Sequence, residues 1–169
     1  MVVTNLDSLF RPRSVAVIGA SKTPGKVGNS ILLNLIKSNY KGEIYPINPK
    51  ETEIASLRCY PRISEVKAEL AIIVIPAAGV LSVAEECGQS GVKSLIVITS
   101  GFKEVGGEGI RLEKELKDIC RRYGMHLVGP NCLGVMDTHT PLNASFAPEF
   151  AIKGEIAFIS QSGALGTAI

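Results

Sequence analysis

The chain of 169 residues is 46% hydrophobic and 20% charged, which is typical of a globular domain with a buried core. Its 18 lysines and arginines nearly balance its 16 aspartates and glutamates, and the net charge of +2 is too small to indicate a nucleic-acid or membrane partner. Because it lacks a membrane-length apolar run, a secretory signal and a Cys-x-x-Cys pair, we expect a cytoplasmic protein with four reduced cysteines and no metal site.

Short apolar runs alternate with helical patterns along the chain. Strands are predicted at residues 15–19, 43–47, 70–75, 94–99, 126–128 and 155–160. Most of these runs are rich in β-branched residues with little alternation, as in strands that are covered on both faces. Helices are expected in the gaps, with clear periodicity at about 27–36, 80–87 and 110–123. The pattern predicts an α/β fold with a Rossmann-like, doubly wound, mainly parallel sheet, whose ligands bind at the carboxyl ends of the strands.

The first predicted strand ends at Gly19 and leads through a glycine-bearing turn into a helix that starts near Val27. Such a turn presents unpaired backbone N–H groups at the positive end of a helix dipole. The segment therefore predicts a site for a phosphate or pyrophosphate group.

The turn differs from the dinucleotide fingerprint Gly-x-Gly-x-x-Gly, because Gly19, Gly25 and Gly28 are more widely spaced. The second strand is followed by Lys50 where that fingerprint has an acidic residue. A lysine there would attract an additional phosphate on the ribose. Both NADP, with its 2′-phosphate, and coenzyme A, with its 3′-phosphate, fit this pattern.

The later part of the chain departs from the alternation. Residues 100–109 are glycine-rich and predict a mobile loop at the carboxyl edge of the sheet. Residues 137–153 show little periodicity and predict a connector. Residues 154–169 then repeat the opening pattern of strand, Ser/Gly turn and helix start, so we expect the beginning of a second, truncated α/β domain.

Five motifs occur together in order: LFRPRSVAVIGAS at 9–21, INPK at 47–50, ITSGF at 98–102, GPNCLG at 129–134 and SQSG at 160–163. Together they resemble the nucleoside-diphosphate-forming acyl-CoA synthetases. These enzymes are relatives of the succinyl-CoA synthetase alpha subunit and include the ADP-forming acetate–CoA ligases. The resemblance covers essentially the whole chain. It implies a CoA-binding domain at 1–136, a connector at 137–153 and the start of a flavodoxin-like second domain at 154–169.

The resemblance also implies which residues bind CoA. The phosphates would be lined by the first turn, Lys50 would face the 3′-phosphate, and the ends of the later strands would flank the nucleotide or pantetheine. The implied CoA-binding residues are Gly19, Ser21, Lys22, Thr23, Pro24, Gly25, Lys26, Val27, Gly28, Lys50, Pro76, Thr99, Ser100, Gly101 and Asn131.

The turn Ser160, Gln161, Ser162 and Gly163 has two interpretations. It could hold a second phosphate, or its serine could simply cap the helix that follows. In the family, the acid, CoA and ATP react through an acyl phosphate and a phosphorylated histidine. Neither His126 nor His139 matches that histidine, so we expect no catalytic residue in this chain.

The favoured function is the CoA-binding portion of an ADP-forming acyl-CoA synthetase. Its partners would be CoA and an ATP-grasp domain or beta subunit, and a homo-oligomer remains open. The alternatives are a stand-alone CoA-binding or sensing module, the regulatory domain of a protein lysine acetyltransferase, and an NADP-binding oxidoreductase domain.

Overall fold

The computed structural model describes residues 6–168. The predicted domain limits at residues 1 and 169 lie outside the described residues. The α-helices are Asp7–Phe10 (α1), Val27–Lys37 (α2), Ala77–Gln89 (α3), Glu108–Tyr123 (α4) and Gly163–Ala168 (α5). The strands are Ser14–Ile18 (β1), Glu43–Ile47 (β2), Glu53–Ile54 (β3), Leu57–Arg58 (β4), Leu70–Ile73 (β5), Ser94–Val97 (β6), His126–Val128 (β7), Gly134–Asp137 (β8) and Leu142–Ser145 (β9). Two 3-10 turns lie at Ile63–Glu65 and Lys103–Val105.

Five strands form the central sheet in the order β2-β1-β5-β6-β7, and every neighbouring pair is parallel. From β1 the chain first adds β2 on one side of β1, and it then adds β5, β6 and β7 in turn on the opposite side of β1. The order therefore reverses between β1 and β5, and in sheets of this kind ligands bind beyond the carboxyl ends of the strands at such a point. The α/β, Rossmann-like fold predicted from the sequence is confirmed.

Alternate residues of each central strand face two separate cores. Val15 and Val17 of β1 lie in the core that α2 covers, whereas Ala16 and Ile18 lie in the core that α3 and α4 cover. All five residues of β1 are buried. Burial on both faces explains why β1, β5 and β6 appear in the sequence as continuous apolar runs.

The gap between β2 and β5 contains no α-helix, although the alternating pattern predicts one there. The chain instead forms the short hairpin β3–β4 and a 3-10 turn. Tyr60 then pairs with Ile47 and extends the sheet beyond β2. The hairpin therefore protects the edge strand and fixes the loop that follows β2.

Part of the predicted connector is regular structure. β8 and β9 form an antiparallel ribbon, and Leu142 and Ala144 of β9 are fully buried in the core on the α2 side. The side-chain amide of Asn34 on α2 donates to the carbonyl oxygens of Ser145 (2.9 Å) and Ala147 (2.8 Å). Residues 142–147 of the predicted connector are thus packed against α2.

The predicted strand at 155–160 is wrong, because these residues have no regular secondary structure and pair with no other strand among the described residues. Ile156 and Ile159 are 96% and 94% exposed. A β-strand needs a neighbouring strand for its backbone hydrogen bonds, and no other segment of residues 6–168 supplies one here. Within the same range, no helix has both the length and the apolar character needed to cross a membrane.

Charged residues join three strands at the amino edge of the sheet. The carboxylate of Glu69, just before β5, accepts from the backbone N–H (2.9 Å) and guanidinium (2.6 Å) of Arg13 and from the ammonium of Lys93 (3.1 Å). The hydrogen bonds from Arg13 are the main cause that lowers the pKa of Glu69 from 4.5 to about 2. The candidate site lies at the opposite edge.

Candidate functional site

The glycine-bearing loop begins with a close backbone contact. A Cβ placed on Gly28 would lie 2.1 Å from the carbonyl oxygen of Gly19, and a Cβ on Gly19 would lie 2.2 Å from that of Val74. Gly19 also has a φ of +92°, which glycine adopts without strain. The absence of side chains at both positions lets the start of α2 pack directly on the end of β1.

Two asparagine side chains donate hydrogen bonds to consecutive carbonyl groups of the glycine-bearing loop. Asn48 Nδ2 donates to the oxygen of Ala20, and Asn29 Nδ2 donates to the oxygen of Ser21, each at 2.8 Å. In a trans peptide the N–H points opposite to the C=O. The N–H groups of Ser21 and Lys22 therefore point away from these asparagines, and neither donates to an acceptor within the part of the chain that the structure describes.

The start of α2 adds further donors on the same side. No side chain caps the N-terminus of α2, and its first turn has no acidic residue. The first N–H groups of a helix have no partner within the helix. Together with the loop amides, they make a concentration of positive partial charge that is suited to an anion.

The loop after β2 brings Lys50 to this region. Asn48 Oδ1 accepts from the backbone N–H of Lys50 (2.9 Å), which is an Asx turn. The Lys50 side chain is exposed. The neighbouring carboxylate of Glu51 pairs with the ammonium of Lys22 at 2.7 Å, so the two loops touch at their tips as well as at their bases.

The ends of β5, β6 and β7 form the remainder of the rim. Thr99 Oγ1 donates to the carbonyl oxygen of Ile75 (2.7 Å), and the N–H of Asn131 donates to that of Thr99 (3.0 Å). A Cβ on Gly101 would lie 3.2 Å from the Cβ of Ala77, at the start of α3. The predicted residues Pro76, Thr99, Ser100, Gly101 and Asn131 therefore lie on adjacent loops at one edge.

The sequence predicts a mobile loop at 100–109, and in the structure side-chain contacts hold residues 101–104 of this segment. Phe102 is 0% exposed and belongs to the core beneath α3 and α4. Glu104 Oε1 accepts from the N–H groups of Gly101 (2.5 Å) and Phe102 (3.2 Å). The buried ring and the turn that Glu104 closes fix this part of the rim.

The turn at 160–163 lies apart from the glycine-bearing loop. Ser162 Oγ accepts from the N–H of Leu165 (3.3 Å), and Ser160 Oγ accepts from the N–H of Ser162 (3.0 Å). These contacts correspond to the helix-cap interpretation. The start of α5 lies near the β7 loop, since a Cβ on Gly163 would be 3.9 Å from that of Leu133.

Burial raises the pKa of all four cysteine thiols. Burial raises the pKa of Cys132 to about 11, and its Sγ donates to the carbonyl oxygen of Val97 (3.4 Å). Burial likewise raises the pKa of Cys87 to about 12 and that of Cys120 to about 11. These thiols stay protonated near neutral pH. The exposed ring of His139 contacts only the carbonyl oxygen of Gly154, at 3.2 Å.

Sequence reasoning missed Asn29 and Asn48, although both shape the loop. The available signal was an asparagine immediately after a buried strand and before a proline, since such asparagines often form Asx turns. No local pattern indicates that the other end of the Asn48 amide reaches Ala20, 28 residues earlier.

Comparisons with known proteins show which family the chain resembles. A family model described as a CoA binding domain matches residues 13–138. The chain is 51% identical over 166 residues to the ADP-forming acetate–CoA ligase of Methanocaldococcus jannaschii, covering 97% of this chain and 23% of that protein. It is 49% identical to the alpha subunit of ADP-forming acetate–CoA ligase II from Pyrococcus furiosus, covering 97% of this chain and 36% of the subunit.

A solved structure has the same architecture. It is that of dinucleotide-forming acetyl-coenzyme A synthetase 1 from Candidatus Korarchaeum cryptofilum, in complex with phosphate and ADP. The TM-score is 0.93 at 49% identity, and the match covers 97% of this chain and 35% of that one. The chain thus spans between about a quarter and just over a third of the length of these relatives.

Proposed function

The chain belongs to the CoA binding domain family, and from this we propose that it is the CoA-binding portion of an ADP-forming acyl-CoA synthetase. The complete enzyme would convert an acid, CoA and ATP into acyl-CoA, ADP and phosphate, through an acyl phosphate and a phosphohistidine. The task of this chain would be to bind and orient CoA. High identity to ADP-forming acetate–CoA ligases over 97% of the chain supports the proposal.

The observation that carries the proposal is the conjunction of the loop amides with Lys50. We expect the CoA pyrophosphate to accept from the N–H groups of Ser21 and Lys22 and from the start of α2. Lys50, held beside them by Asn48, would contact the 3′-phosphate through a charge-assisted bond. Lys22 could then exchange Glu51 for a phosphate oxygen.

The remaining predicted residues complete the proposed site. Thr23, Pro24, Gly25 and Lys26 are exposed along the loop and would line the phosphates with Val27 and Gly28. Pro76, Thr99, Ser100, Gly101 and Asn131 would flank the nucleotide or pantetheine. In the turn at 160–163 the serine hydroxyls accept from backbone N–H groups, and the O–H of Ser162 would still be able to donate to a second phosphate.

The domain division at 136 and 153 also remains a proposal. The family match ending at residue 138 supports a boundary near there. The packing of residues 142–147 on α2 favours a later boundary, after the ribbon.

For partners, we propose an ATP-grasp domain or beta subunit, which accords with the name of a relative that is itself an alpha subunit. Free cysteines support a cytoplasmic location.

The proposal is tested by calorimetric titration of the chain with CoA, dephospho-CoA and NADP. We expect CoA to bind more tightly than dephospho-CoA, because only CoA carries the 3′-phosphate. Lys50→Ala should weaken CoA about five- to tenfold, since the lysine is exposed and the bond only partly desolvated. The matched control is Lys37→Ala, an exposed lysine at the far end of α2, which should leave the affinity unchanged.

Two results would contradict the assignment. Equal affinities for CoA and dephospho-CoA would remove the role given to Lys50. Tighter binding of NADP than of CoA would favour the oxidoreductase alternative.

A further inference from the structure

The side-chain amide of Asn48 joins the two loops that carry the candidate site. Its Nδ2 donates to the carbonyl oxygen of Ala20 at 2.8 Å, and its Oδ1 accepts from the N–H of Lys50 at 2.9 Å. One bond therefore reaches the glycine-bearing loop and the other reaches the lysine. A single planar group links them.

Only an amide of this length suits the position. A carboxylate could accept from Lys50 but could not donate to Ala20. An aliphatic side chain could do neither and would leave the N–H and the carbonyl unpaired. Because the two partners are one acceptor and one donor, the orientation of the amide is chemically determined.

The backbone around Asn48 is itself fixed. The N–H of Asn48 donates to the carbonyl oxygen of Tyr60 (2.9 Å), and the N–H of Gly19 donates to that of Ile47 (3.0 Å). Asn48 is half-buried between these segments. The amide thus starts from a rigid base, and its two hydrogen bonds transmit that rigidity to Lys50 and to the loop.

We propose that Asn48 is a positioning residue that sets the preference for a ribose bearing a 3′-phosphate. It does so by holding the backbone of Lys50 at a fixed place relative to the loop amides that bind the pyrophosphate. The inference rests on the proposed function, since it requires CoA in this site. Asn48 touches Lys50 and Ala20, and it needs no contact with CoA.

Asn29 provides a matched comparison. Its amide donates to the next carbonyl of the same loop, that of Ser21, at 2.8 Å, and has no hydrogen bond to the β2 loop among the described residues. Loss of Asn29 should disturb the pyrophosphate amides alone and weaken all ligands that carry a pyrophosphate. Loss of Asn48 should also release Lys50 and so affect the 3′-phosphate selectively.

The test measures the dissociation constants of CoA and dephospho-CoA by calorimetry. It compares the ratio of the dephospho-CoA constant to the CoA constant among variants whose fold is checked by circular dichroism. In Asn48→Ala the ratio should fall by roughly threefold or more, because a charge-assisted contact is lost. In Asn29→Ala both constants should rise while the ratio stays that of the original chain. In Lys50→Ala the ratio should approach one, and adding Asn48→Ala to it should change the ratio no further.

A milder variant covers the case in which Asn48→Ala does not fold. The hydroxyl of Asn48→Ser can accept from Lys50 but is too short to reach Ala20, so the bridge is broken and the ratio should fall here too. An unchanged ratio in the Asn48 variants, with a collapsed ratio in Lys50→Ala, would overturn this inference alone. A ratio of one in the original chain would remove the role given to Lys50 and this inference with it, whereas a failure of the original chain to bind CoA would overturn the proposed function.

Discussion

At Gly28 the helix α2 approaches β1 so closely that a methyl group would overlap the carbonyl oxygen of Gly19. We predict that Gly28→Ala lowers the free energy of unfolding by about 1–3 kcal/mol, as overpacking generally does. Alanine is a better helix former than glycine by about 1 kcal/mol, so a loss of stability would report the contact itself. Urea denaturation measures the effect, and CoA affinity should fall with it because the start of α2 must move.

Gly25 is the control for Gly28. Its φ is +81°, but nothing lies within 4 Å of a Cβ placed there. Gly25→Ala should therefore cost only the strain of a left-handed residue, about 1–2 kcal/mol, and leave the packing of α2 intact. If Gly28→Ala were as stable as the original chain, the close approach of α2 to β1 would be incorrect.

The helix α2 is held from outside by the β8–β9 ribbon, chiefly through Asn34. We predict that Asn34→Ala costs about 1–3 kcal/mol, because the buried carbonyls of Ser145 and Ala147 would lose their donor. Lys37→Ala, exposed on the same helix, should change stability by no more than about 0.5 kcal/mol. Chemical denaturation distinguishes them, and equal stabilities would show that the ribbon does not support α2.

The ribbon also shows where element prediction from the sequence fails. β1, β5 and β6 were predictable because burial on both faces leaves an uninterrupted apolar signal. β9 has the sequence LNAS, with no alternation, and becomes a strand only by pairing with β8 against α2. At 155–160 the error is reversed, since a strand is predicted where the structure has none. The apolar pattern does not reveal that these residues lack a pairing partner.

The site followed the same division. The conformation of the glycine loop and the place of Lys50 after β2 could be predicted, since these requirements are local or lie beside a strand end, while their contact with CoA stays a prediction. Asn29 and Asn48 could not, because their roles depend on carbonyl groups that only the folded chain brings within reach.

For the whole molecule, the cluster of Glu69 with Arg13 and Lys93 predicts how the free energy of unfolding depends on pH. The pKa of Glu69 is lowered from 4.5 to about 2 in the folded chain. Its stabilising contribution is therefore complete above about pH 4.5 and is lost as the pH falls towards 2. Thermal unfolding should show a loss of stability across this range that is shallower in Glu69→Gln.

Glu113→Gln is the appropriate control for that experiment. Glu113 pairs with Lys117 within α4 at 2.6 Å and joins no separate strands, so its removal should hardly alter the acid profile. A Glu69→Gln profile parallel to that of the original chain would contradict the role of the cluster.

The position of Glu69 has a practical consequence for protein engineers. A five-residue parallel strand is about 16 Å long, so the two ends of the sheet are farther apart than the screening distance of about 8 Å in physiological salt. Charges introduced around Glu69 should scarcely be felt by an anion bound at the other end. Acid tolerance and ligand choice could thus be redesigned independently in one scaffold.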